Sequence, residues 1–124
     1  SFRSDALTLT VDDYAAAELA TTRGSSKYMN KDVLDRVIFP SGEGPAYRKL
    51  TGQEGNTEEP LPGTRSVGGD ESCSLSTKFL GEIAQLWPGG FEIASEGSLR
   101  PCIVTPTYED APVAYIVVMP QRED

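Results

Sequence analysis

The stretch from Pro40 to Asp70 constrains this chain more than any other. It holds seven of the twelve glycines and four of the nine prolines. Its only larger apolar side chains are Tyr47, Leu50, Leu61 and Val67. Neither a helical nor a strand-like apolar period runs through it. A segment this lean buries too little apolar surface to offset the entropy of ordering its own backbone. Long connections without structure are uncommon inside compact domains, and are usually functional or disordered. The sequence therefore predicts a long irregular loop over 40–72, with its Gly/Pro-rich part at 40–70, carried by a scaffold that the flanking sequence must supply.

At 124 residues the chain has about the commonest size for one domain, so 1–124 is read as a single domain. Leu7, Leu9 and Val11 alternate with Thr8 and Thr10, which predicts a half-buried strand over 6–11. Thr10 and Asp13 have the spacing of a capping box. A helix through Tyr14–Ala20 follows, ended by Gly24. Asn30 is placed to cap a second helix, with Val33, Leu34, Val37 and Ile38 on one face and Pro40 as its stop. Beyond the loop, Ser76 is placed to cap a third helix. Its stripe of Phe79, Leu80, Ile83, Leu86 and Trp87 reads as core, with Trp87 at the end open to partial exposure. Strands over 91–93, 102–105 and 113–119 then form a three-stranded meander. The last is apolar on both faces, which predicts a central strand covered on both sides. The expected fold class is α+β: a mostly antiparallel sheet, made of the N-terminal strand and the C-terminal meander, packed with about three helices. The sequence shows no internal repeat.

Composition removes several function classes. The formal charge is 11 − 19 = −8, a field that repels phosphate backbones, and the densest basic spot is only Arg48-Lys49. No nucleic-acid partner is expected. No apolar run approaches the roughly 20 residues of a transmembrane helix. There is no histidine, which excludes His-based triads, Cys-His dyads and His-containing zinc sites, and two cysteines are too few for a thiolate-only zinc site. The pairs Asp12-Asp13, Glu58-Glu59 and Glu109-Asp110 are adjacent residues suited to caps and turns, not carboxylates converging on one substrate. The Gly42-x-Gly44 pair lacks the remaining residues of a phosphate loop. Neither a metal nor a cofactor is expected.

Cys73 and Cys102 are read as a disulfide closing a loop of about 30 residues. Together with the acidity and the start at Ser1, this leans toward an extracytoplasmic chain (secreted or periplasmic), or an organellar one after leader removal. Inside the long loop, Tyr47, Arg48, Lys49 and Leu50 combine residue types favoured as interface anchors. The same four side chains also suit a locally packed turn. The leading expectation is a non-catalytic binding or structural subunit that contacts a protein partner through the loop. The alternatives are a small enzyme or ligand-binding domain relying on Asp, Glu, Tyr or Cys chemistry, and a secreted inhibitor-like module.

Overall fold

The computed structural model describes residues 7–22, 34–52, 55–97 and 99–121. Ten elements follow one another: β1 (Leu7–Val11), α1 (Asp13–Thr22), β2 (Leu34–Phe39), β3 (Gly44–Gly52), β4 (Gly55–Val67), β5 (Cys73–Ser76), α2 (Thr77–Leu86), β6 (Phe91–Ser95), β7 (Cys102–Pro106) and β8 (Ile116–Val118). All eight strands belong to one antiparallel sheet in the order β5-β2-β3-β4-β1-β6-β7-β8. The two helices pack together and seal a core that takes in Leu9, Val11, Leu19, Val37, Phe39, Leu80, Trp87, Phe91 and Ile93.

The architecture corrects the expected one in three places. First, the described residues contain two helices rather than about three. The segment expected to form the second helix is strand β2 instead, and its expected cap, Asn30, lies outside the described residues. Val37, Ile38 and Phe39 are β-branched or aromatic and are buried on both faces of β2, an environment that favours a strand. Second, 40–72 is not an irregular loop. Most of it is the β3–β4 hairpin, paired from Ala46 to Gly52 with Leu61 to Gly55 and again, after an irregularity, at Gly44 with Ser66. Its outer half stands clear of the core, with Gly55–Pro60 exposed, so backbone hydrogen bonds rather than apolar contacts order it. Third, the last strand is not central. β8 is a three-residue end strand, and Val113, expected to begin it, has φ 65°, which no strand residue adopts.

Helix starts follow local chemistry. Asp12 Oδ1 accepts from Ala15 N at 2.9 Å, so Asp12 caps α1 in place of the expected Thr10. Ser76 Oγ accepts from Phe79 N at 3.3 Å and caps α2. Trp87 ends α2 fully buried, with Nε1 donating to Pro112 O at 2.5 Å.

The element order is a βαβββ unit used twice, although no repeat is visible in the sequence. Strands β1–β4 correspond to β5–β8. Strand registers make the match residue by residue. Val11 pairs with Phe91 as Leu75 pairs with Val37, and Leu9 pairs with Ile93 as Cys73 pairs with Phe39. The caps Asp12 and Ser76 are equivalent. Ala46 beside Leu61 matches Val104 beside Ile116.

The two halves differ in how their last strand meets their first. In the first half β4 pairs with β1 over four residues, and Asp12 N donates to Gly63 O at 2.9 Å. Gly63 has φ 88°, and a Cβ there would come within 2.2 Å of Asp12 Oδ1. On β4 Leu61 faces Ala46 but Ser66 faces Gly44, and the extra residues between them include Gly63; β8 has no such insertion, because Val118 faces Cys102 where Ile116 faces Val104. The second half therefore has no glycine in that place, and the chain beyond β8 meets Pro120, which has no N–H to give. The Ser74 carbonyl instead takes its hydrogen bond from Gln121 N, at 2.7 Å. The sheet thus curls until its ends β5 and β8 meet at one point, but they do not pair as strands.

This asymmetry predicts unequal costs for two glycine replacements. Gly42 also has a left-handed φ of 79° but open space around it, so Gly42→Ala is expected to cost about 1–2 kcal/mol. Gly63→Ala is expected to cost about 3 kcal/mol or more, because a clash with the α1 cap adds to the same backbone penalty. Urea denaturation of the two variants measures the difference, and equal costs would contradict the zipped geometry.

Candidate functional site

Where β8 fails to zip onto β5, an apolar groove of about 440 Å³ opens between α2 and β8. One wall is Phe79, Glu82 and Ile83 of α2. The other is Ile116, Val117, Val118 and Met119. The helix wall follows from the turn of α2: its stripe sends Leu80 and Ile83 to the core, while Phe79, expected in the core, is 51% exposed. The strand wall follows from the period of two. Ile116 and Val118 are half-buried against the core, whereas Val117 and Met119 are more than half exposed. Ile103, opposite Val117 on β7, is 51% exposed and extends the apolar surface around the strand edge. Glu82 is the one charged residue among those lining the groove.

The segment that delivers β8 is held from behind. Trp87 grips the Pro112 carbonyl, and the next residue, Val113, is left-handed. A β-branched residue there is a backbone outlier, a kind of strain that clusters at functional sites.

Tyr47, Arg48, Lys49 and Leu50 lie on β3, all half-buried. They alternate between the two faces of the hairpin, with Arg48 and Leu50 on one and Tyr47 and Lys49 on the other. Arg48 forms a two-point ion pair with Asp35 of β2, Nε to Oδ1 at 2.9 Å and Nη2 to Oδ2 at 2.5 Å. The Asp35 carboxylate raises the guanidinium pKa above its ordinary value. Lys49 Nζ stands 4.0 Å from Glu58 Oε1 across the hairpin. Arg48 is thus engaged with β2 and Lys49 faces Glu58 across the hairpin.

Cys73 and Cys102 are free, fully buried thiols with their Sγ atoms 3.9 Å apart. The expected disulfide is therefore not formed, since that separation is nearly double the roughly 2.05 Å of an S–S bond. Among the described residues, no three His, Cys, Asp or Glu side chains gather to hold a metal ion. Nor is any helix among them long and apolar enough to cross a membrane.

No protein-family model matches the chain, and no curated protein matches it in sequence. Solved structures do: the fold is that of the sliding clamps. The chain superposes on the beta sliding clamp of Caulobacter crescentus with a TM-score of 0.67 at 15% identity, and on a DNA polymerase III subunit beta of Bartonella birtlesii, bound to griselimycin, with 0.62 at 16%. It superposes on the proliferating cellular nuclear antigen of Entamoeba histolytica with 0.60 at 18%. In each case 98% of this chain is covered, but only 32%, 32% and 48% of the other. The chain thus spans about a third of the bacterial clamps and about half of the amoebal protein.

Removing Asp35 strands a half-buried guanidinium. Asp35→Ala is expected to cost about 2–3 kcal/mol, and Asp35→Ala with Arg48→Met less than Asp35→Ala alone. A double-mutant cycle by denaturation reads this directly, and additive costs would contradict it.

Proposed function

We propose that this chain is a non-catalytic docking module of a larger assembly, which holds an extended apolar segment of a partner protein in the groove between α2 and β8. The observation that carries the reading is the groove itself: Phe79, Val117 and Met119 are exposed together around a concave seam. Contiguous exposed apolar surface of this kind marks interaction sites. The sliding-clamp fold adds support, because those neighbours are themselves polymerase clamps or subunits by name. We set the partner in the groove and not on the β3–β4 hairpin, because Arg48 and Lys49 are already matched by Asp35 and Glu58.

The same reading keeps nucleic acid off the helices. Their exposed charges among the described residues are Asp13, Glu18 and Glu82 against Lys78, a net negative face that repels a phosphate backbone.

Two binding measurements test this. Selection of peptides from a random display library is expected to enrich apolar segments that bind with a Kd in the micromolar range, about −8 kcal/mol. Phe79→Ala with Val117→Asp should abolish that binding while leaving the unfolding midpoint nearly unchanged, since both side chains are exposed. Peptides that bind the double variant equally well would overturn the groove assignment. Fluorescence anisotropy with duplex DNA at physiological salt should show no binding; tight, salt-sensitive binding would contradict the charge argument.

A further inference from the structure

The thiols of Cys73 and Cys102 sit at the meeting point of the sheet's two ends. Cys73 opens β5, the first strand in the sheet order, and Cys102 opens β7, the last but one. The strands are 29 residues apart in sequence at these positions, yet the two sulfurs are in contact at 3.9 Å. Near them, Gln121 N donates to Ser74 O and joins the ends of the described sheet. Every other strand junction in the sheet is a ladder. A covalent link would therefore add most where the sheet is least fastened.

We propose that Cys73 and Cys102 are a redox modification site: a dithiol that a small-molecule disulfide converts to an intramolecular disulfide, locking the seam of the curled sheet. The inference rests on the position of the pair and not on what the groove binds. As the chain folds around the pair, the hydrogen bond from Cys73, with a second from Ser95, lowers the Cys102 pKa against the opposing effect of burial and favours its thiolate, the attacking form. With oxidised glutathione as oxidant, the Cys102 thiolate attacks one of its sulfurs and forms a mixed disulfide, releasing one glutathione as a thiolate that takes up a proton. Cys73, deprotonated, then attacks the Cys102 sulfur; the protein S–S bond forms and the second glutathione leaves. The protein loses two electrons and two protons, and one glutathione disulfide becomes two thiols. Closing the bond brings the sulfurs from 3.9 Å to a bonding distance of about 2.05 Å.

Both cysteines are fully buried, so the exchange is tested during folding. The full reduced chain is refolded from urea in a buffer of reduced and oxidised glutathione, quenched with acid, alkylated in denaturant, and its intact mass taken. The expected product lacks the two thiol hydrogens, carries no alkyl group and no glutathione, and melts on the order of 10 °C above the reduced protein. Cys73→Ser and Cys102→Ser, treated alike, should each keep one thiol and show no such rise. A folded wild type with two alkylated thiols, or with glutathione on either cysteine, would overturn the proposal. A disulfide that forms but leaves the melting point unchanged or lower would overturn the lock. The wild-type mass decides the first point even if a serine variant fails to fold.

Discussion

The backbone hydrogen bond from Asp12 N to Gly63 O organises the molecule, because it sits where one βαβββ unit closes as a ladder, whereas the described residues of the other unit close through Gln121 N to Ser74 O. In the first half a glycine with φ 88° lets the strand lie against the helix cap, and β4 continues into β1 as a ladder. The second half matches it in the pairing of β5 with β2 and has an equivalent cap at Ser76. Its last strand nevertheless lacks the extra residues that carry Gly63, and it runs on to Pro120, which has no N–H to give. One unit is zipped and the other is ajar, within a single sheet.

The surface chemistry follows from that difference. A strand that pairs on both sides hides its flanks, whereas β8 pairs with β7 alone and leaves Val117 and Met119 in solvent beside Phe79. Exposed apolar side chains scattered over a surface mean little; here they line one concave seam with a single acid, Glu82, among them. The strained backbone at Val113 and the buried Trp87 behind it hold this edge strand in place. Among the described residues, no three His, Cys, Asp or Glu side chains gather to hold a metal ion. Docking of a protein segment is the use that these features support together.

Parts of this were legible in the sequence. β1 shows as clean alternation from Leu7 to Val11, and α2 shows as an apolar stripe behind its Ser76 cap, because in both an apolar period meets one buried face. β2 was hidden because the short run Val37-Ile38-Phe39 fits either period, and because its charged neighbours Asp35 and Arg36 are buried too. The β3–β4 hairpin was hidden for a different reason. Several of its inward positions are small or polar: Ala46, Thr64 and Ser66. Thr64 Oγ1 accepts from Ala46 N at 2.9 Å and donates to Leu61 O at 2.6 Å, and Ser66 Oγ donates to Pro40 O at 2.9 Å. Hydroxyls satisfied by backbone do there what apolar side chains do elsewhere, so no hydrophobic period marks the strands. The groove was illegible for a third reason. It depends on Val118 and Pro120 standing opposite α2 and β5, which only the doubled topology reveals.

Hydrogen exchange along the two equivalent strands tests the zipped and open halves most directly. β4 is held by β3 up to Leu61 and again at Ser66, and by β1 from Thr64 to Val67, so neighbours flank it on two sides, whereas β8 between Ile116 and Val118 is held by β7 alone. The account predicts that β8 amides on the groove side exchange at least about a hundredfold faster than those of β4, a local opening about 3 kcal/mol easier. Equal protection of the two strands would mean that the second half is closed as the first is, and would contradict the open seam on which the docking surface depends.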